Sequence, residues 1–225
     1  MRKIFIAGDS TASIKEKQAY PETGWGEAFR FMLSNRIELR DYAVNGRSTK
    51  SFITDGLFDK IDKEIEAGDY LLIQFGHNDG KIDDEMRYTD PTSEYPENLV
   101  KYINMARKHN ATPILLTSIS RRMFENGTLV ENNIGPYPNV MRKVAQDEDV
   151  LLLDINRFSE ALLKKIGDQE SKKLHLHIKA GEHPNYPEGI EDNTHFSPLG
   201  AWTYAYEIAK LLKQTELGKD IYLPY

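Results

Sequence analysis

Five short apolar runs, each separated from the next by a longer amphipathic stretch, limit this chain to a narrow group of folds. The runs cover residues 3–8, 37–43, 70–75, 112–117 and 151–154. The stretches between and after them, 24–33, 58–66, 97–108, 140–147, 157–166 and 198–213, carry apolar residues at helical spacing, as Trp25, Phe29, Met32 and Leu33 do in the first. Ser197 stands at the N-cap position of the last stretch and Pro198 suits its first turn. Strands alternating with helices predict βαβ units. The expected fold is therefore α/β: a three-layer α/β/α sandwich around a five-stranded, mainly parallel sheet. With no internal repeat and no linker-like segment, 225 residues predict one domain over 1–225.

Two segments stand apart. Residues 121–138 contain Asn126-Gly127 between two apolar pairs, a hairpin signal, and read as an excursion over the ligand-binding edge. Residues 172–179 alternate Leu174, Leu176 and Ile178 with His175, His177 and Lys179 and predict a short exposed strand. The 29 basic and 35 acidic residues give a net charge of −6 without a basic run, which disfavours nucleic acid as a partner. The absence of cysteine excludes disulfides and thiolate metal sites. The apolar run after Met1-Arg2-Lys3 is too short for a signal peptide, and nothing reads as a membrane span, so a cytoplasmic location is expected if Met1 is the natural start.

In a parallel sheet, ligands sit beyond the carboxyl ends of the strands, so the residues that follow each run carry the functional information. The first run ends in Gly8-Asp9-Ser10-Thr11 and the second leads to Asn45-Gly46-Arg47-Ser48. The third ends in Gly76-His77-Asn78-Asp79, and Asp192-Asn193-Thr194-His195 precedes the last helix. Each piece alone also reads as turn formers or caps. Together they supply a nucleophile (Ser10), donors for an oxyanion (Gly46 and Asn78), a base (His195) and an orienting carboxylate (Asp192). The Asp-x-x-His spacing lets one tight loop present the last two.

These blocks resemble the SGNH (GDSL-like) hydrolase superfamily over residues 8 to 195. The resemblance implies a flavodoxin-like strand order, Ser10, Asp192 and His195 as catalytic residues, and an oxyanion hole from the Ser10 and Gly46 N–H groups and the Asn78 amide. Gln74-Phe75-Gly76-His77-Asn78-Asp79, Arg121-Arg122-Met123-Phe124 and Thr194-His195-Phe196 are similar to the rhamnogalacturonan acetylesterase branch. That likeness implies removal of O-acetyl groups from pectic oligosaccharides, with an acetylated oligosaccharide as partner and no cofactor. Acetylxylan or broader small-acyl esterases share several of these blocks.

Arg47, His77, Arg121 and Arg122 are candidate substrate-binding residues, the arginines for a galacturonate carboxylate. They also read as surface or hairpin-supporting residues. Three rival functions remain at this stage. His175, His177 and His183 suggest a metal-dependent hydrolase. A non-catalytic carbohydrate-binding protein would use the same scaffold, and an acyltransferase the same residues.

Overall fold

A computed structural model describes residues 1–223. Strands β1 (Arg2–Gly8), β2 (Ile37–Asp41), β3 (Tyr70–Gln74) and β4 (Thr112–Leu116) form, with β7 (Leu151–Leu153), one sheet in the order β2-β1-β3-β4-β7. Every pairing is parallel. The central strands β1, β3 and β4 are covered on both faces, which is why they read as apolar runs, whereas the edge strand β2 alternates Ile37 and Leu39 with Glu38 and Arg40. Along β1, Ile4 and Ile6 point to one face, and Phe5 and Ala7 to the other.

On the first face, β1, β3 and β4 pack against α1 (Trp25–Phe29), α6 (Ile155–Ser171) and α7 (Pro198–Leu212), through Trp25, Phe29, Ile155, Tyr204 and Ile208. On the second lie α2 (Thr49–Thr54), α3 (Leu57–Glu64), α4 (Glu94–Lys108) and α5 (Tyr137–Asp147). Phe52, Ile61, Leu99, Tyr102 and Met141 fill that layer. No helix among the described residues is long and apolar enough to cross a membrane.

The chain leaves β1 for β2 on one side and then crosses to β3 on the other. The order therefore reverses between β1 and β3, the point at whose carboxyl edge ligands of such sheets bind. Residues 121–138 hold the expected hairpin, β5 (Phe124–Glu125) and β6 (Thr128–Leu129), with Asn126 and Gly127 both at positive φ.

The second small ribbon corrects two expectations. Strand β8 (His175–Ile178) is not exposed, because His175 and Leu176 are buried. Its antiparallel partner is β9 (Ile190–Phe196), which contains Asp192 and His195, so these lie on a strand rather than in a free loop. The pairing is interrupted there. His175 opposes Phe196 while Leu176 opposes Asp192, so residues 193–195 bulge out of the ladder.

Gly200, in the first turn of α7, lets that helix rest on the chain entering β8. A Cβ there would stand 1.8 Å from the Leu174 carbonyl oxygen. Gly200→Ala is expected to destabilise the protein by at least about 1–3 kcal/mol, the usual cost of overpacking. A urea titration reads this as a lower midpoint at unchanged slope.

Candidate active site

Ser10 follows β1 in a turn where the Ala12 and Ser13 N–H groups both donate to the Asp9 carbonyl. Its Oγ lies 2.8 Å from His195 Nε2, and His195 Nδ1 lies 2.7 Å from Asp192 Oδ2. The other Asp192 oxygen accepts from the backbone N–H groups of Thr194 (2.7 Å) and His195 (2.9 Å). The bulge thus folds around its own carboxylate, which aims the imidazole. Ser10 is buried, while Asp192 and His195 keep about a quarter of their side-chain surfaces open.

Electrostatics follow this geometry. Burial opposes the charged form of Asp192 more than any other single influence. The ring and backbone hydrogen bonds of His195, the His195 charge and the Thr194 N–H together outweigh it, and hold the carboxyl well below the ordinary range. Burial is likewise the largest influence on His195 and favours its neutral form. The hydrogen bond and charge of Asp192, aided by Glu22 and opposed by Lys15, win and raise its pKa above the ordinary 6.5.

Gly46 sits at the end of the β2 loop with φ +78°, a left-handed conformation suited to glycine. Among the described residues, neither the Ser10 nor the Gly46 N–H is taken by another backbone or side-chain acceptor. Asn78 Nδ2 donates one hydrogen to the Arg47 carbonyl at 3.0 Å, which fixes the amide and leaves its second hydrogen to spare. Loops from three neighbouring strands therefore bring uncommitted donors to one edge.

The other expected binding residues part company. Arg47 turns its guanidinium to Asp55 (2.6 Å), so it enters the site through its carbonyl instead. His77 is buried with Nδ1 3.3 Å from Asp9 Oδ2 and Nε2 2.9 Å from the Ile119 carbonyl, leaving no ring nitrogen for a ligand. Arg122, 5% exposed, is consumed by Asp168, Ser171 and Asn193. It clamps the bulge from outside, since its own N–H also donates to the Asn193 carbonyl at 2.8 Å. Among the described residues, Arg121 alone of the three arginines keeps a guanidinium without a carboxylate.

Two further residues bear on the site: Lys15, which no motif in the sequence marks, and Asp79, which closes the Gly76-His77-Asn78-Asp79 block but carries no role there. Lys15 Nζ donates to the Ser10 carbonyl and to Asn45 Oδ1 (2.9 Å) and pairs with Glu22 (2.7 Å), tying the β1 turn to the Gly46 loop. Asp79, fully buried, accepts from Thr49 N–H (3.0 Å), Thr49 Oγ1 (2.6 Å) and Thr89 Oγ1 (2.9 Å). Burial pushes its carboxyl up to about 7 against the opposing Thr49 and Thr89 hydrogen bonds.

The histidines that suggested a metal site do not converge. His175 Nδ1 contacts the Ser171 carbonyl and His177 Nε2 contacts Asn193 Oδ1. Burial lowers the His175 pKa to about 4. Among the described residues, no group of three His, Asp or Glu is placed to hold an ion.

A doubly wound α/β sheet with serine, histidine and aspartate in one hydrogen-bonded line at its carboxyl edge has the layout of a serine hydrolase. The chain belongs to the GDSL-like lipase/acylhydrolase family, whose model matches residues 6–202. It is 41% identical over 218 residues to the rhamnogalacturonan acetylesterase RhgT of Bacillus subtilis, spanning 96% of this chain and 90% of that one. It is 35% identical over 219 residues to the probable rhamnogalacturonan acetylesterase YesY of the same organism, spanning 96% and 93%. The crystal structure of B. subtilis YxiM superposes with a TM-score of 0.79 at 25% identity, covering 95% of this chain and 56% of that one. The fold is also that of Axe2, an acetylxylan esterase from Geobacillus stearothermophilus, with a TM-score of 0.67 at 15% identity and 93% of each chain covered.

The His195 titration tests this electrostatic account. Its midpoint, followed by NMR of the ring, is expected above 6.5. In Asp192→Asn it is expected to fall, because the burial that favours the neutral ring stays while the charge opposing it goes.

Proposed function

We propose that the protein is a serine esterase that removes O-acetyl groups from pectic, rhamnogalacturonan-type oligosaccharides. The observation that carries this reading is the continuous line from Ser10 Oγ through the His195 ring to Asp192, at 2.8 and 2.7 Å. Binding alone needs no such line, so it also favours an enzyme over a carbohydrate-binding protein. The two rhamnogalacturonan acetylesterase names among relatives that match nearly the whole chain support the choice of substrate.

In the first half-reaction, Ser10 Oγ attacks the acetyl carbonyl carbon while His195 Nε2 takes its proton. Asp192, kept ionised by its hydrogen bonds, stabilises the resulting imidazolium. The carbonyl oxygen becomes negative and is met by the Ser10 and Gly46 N–H groups and the free Asn78 amide hydrogen. Collapse breaks the ester C–O bond, and the departing sugar oxygen takes the proton from His195. The acetyl group is then on Ser10. In the second half, His195 removes a proton from water as the hydroxide attacks the acetyl carbon, collapse breaks the bond to Ser10 Oγ, which takes the proton back from His195, and the released acetic acid ionises to acetate in solution.

Acetate release from acetylated pectic fragments, beside acetylated xylan fragments, tests the reading. The pectic substrate is expected to be hydrolysed faster, and Ser10→Ala to lose on the order of 10⁶-fold in turnover. Asn78→Ala is expected to lose roughly a hundred- to thousandfold. Near-normal hydrolysis by Ser10→Ala would exclude the mechanism. Equal or faster cleavage of xylan fragments would exclude the pectic assignment alone. Activity is expected to fall on acidification through the His195 pKa, since the protonated ring cannot act as a base; the inflection therefore lies above pH 6.5.

A further inference from the structure

Beside the reacting groups, past the ends of β3 and β4, lies a cavity of about 470 Å³. Its walls include His77, Lys81, Tyr88, Arg121, Asn133 and Tyr137. It is close to the serine: Arg121 Nη2 lies 3.4 Å from the His77 carbonyl, the His77 ring contacts Asp9, and Asp9 precedes Ser10.

The charges in this cavity are unbalanced. Four arginines surround the site, and three have carboxylate partners: Arg47 with Asp55, Arg87 with Asp84, and Arg122 with Asp168. Arg121, half-buried, has no carboxylate within ion-pair distance among the described residues, and neither has Lys81. The acids that face Arg121, Asp9 and Asp192, are already engaged by His77 and His195. Burial lowers the pKa of Lys81 most, and the Arg87 and Arg121 charges add to it, against weaker support from Asp84 and Asp9. Two uncompensated cations thus share one concave space.

Arg121 is also held in place. Asn133 Oδ1 accepts the Arg121 N–H at 2.9 Å, and Asn133 Nδ2 donates to the Arg121 carbonyl at 3.0 Å. These bonds fix the Arg121 backbone, and the guanidinium is tethered through Nη2 to the His77 carbonyl at 3.4 Å, with its remaining donors left to meet a planar carboxylate. The exposed ammonium of Lys81 adds a mobile second donor, and Tyr88 lends an aromatic wall to a sugar ring.

We propose that this cavity is a uronate subsite: Arg121 and Lys81 take the carboxylate of one sugar while the acetyl ester of the bound chain lies at Ser10. The inference rests on the esterase reading for what lies at Ser10, and adds that the enzyme selects acidic over neutral backbones by charge. It also narrows the set of expected arginines to Arg121 and brings in Lys81.

Equilibrium binding separates the two ideas. Ser10→Ala protein is titrated calorimetrically with digalacturonate, which carries no acetyl group, and with the same disaccharide reduced at its carboxyls to neutral sugar. Adding Arg121→Gln and Lys81→Gln is expected to weaken digalacturonate binding at least about tenfold and flatten its salt dependence, and to leave binding of the neutral sugar unaltered. Arg121→Lys, which keeps the charge and loses the fork, is expected to fall between. Equal digalacturonate affinity with and without the two substitutions overturns the subsite, as does an equal loss for the neutral sugar. Failure of the wild-type protein to release acetate from pectic fragments would instead strike the esterase reading and leave the binding comparison standing.

Discussion

The bulge in β9 is the constraint on which the site depends. A regular strand places alternate side chains on opposite faces and keeps residues three apart from meeting. Only by looping residues 193–195 out of the ladder with β8 do Asp192 and His195 come within 2.7 Å. The carboxylate stabilises the distortion, because its second oxygen accepts the Thr194 and His195 N–H groups that the ladder no longer pairs. One side chain thereby repairs the backbone and orients the His195 imidazole. Arg122 closes the arrangement from the hairpin, bonding both the carbonyl and the side chain of Asn193. That explains why Arg122, next to the proposed carboxylate-binding Arg121, is buried: its charge is spent on the shape of the bulge.

A second set of buried polar groups sets the spacing of the loops. The proposed oxyanion donors come from loops after β1, β2 and β3, and nothing in the sheet itself fixes their separation. Lys15 spans the first and second, and the Asn78 amide spans the second and third through the Arg47 carbonyl. Asp79 ties Thr49, past the β2 loop, and Thr89 to the loop after β3. Buried polar groups of this kind add little net stability, yet any alternative spacing would leave one of them unpaired at the cost of its full desolvation. They act by excluding other arrangements, which is what a preorganised oxyanion site requires.

Much of this could be read from the residues alone, and the exceptions share a cause. The central sheet strands are visible because burial on both faces leaves an apolar run, as in Tyr70-Leu71-Leu72-Ile73, and the edge strand β2 because Ile37 and Leu39 alternate with charged residues. Ser10, Gly46, Asn78, Asp192 and His195 were visible because each stands in a compact block at a strand end or before a helix. Helix α2 was not: Thr49-Lys50-Ser51-Phe52-Ile53-Thr54 has weak helical preference, and its start is held by the Ser48–Ser51 capping box and by Asp79 from a distant loop. Strand β9 was hidden because its residues are polar and its partner is β8 rather than the main sheet. Helix α6 was read as ending before Gly167, and there the backbone does leave helical geometry, at φ +77°, before a further turn continues. For α2 and β9 the missing information is tertiary: Asp79 reaches the start of the helix from another loop, and β8 supplies the strand's partner.

The same reasoning explains why three chemically equivalent arginines ended in three roles. A guanidinium has five donors and no acceptor, so its use is decided by which acceptors reach it first. Asp55 from the end of α2 claims Arg47, and Asp168, Ser171 and Asn193 claim Arg122. None of these partners is adjacent in sequence to the arginine it holds. Arg121 is left over because its neighbouring acids are satisfied by histidines: Asp9 by His77 and Asp192 by His195. The histidine that serves as base in the proposed reaction thus has a second effect. By occupying Asp192, it leaves a positive charge facing the cavity, so the proposed chemistry at Ser10 and the proposed charge preference beside it arise from one set of pairings.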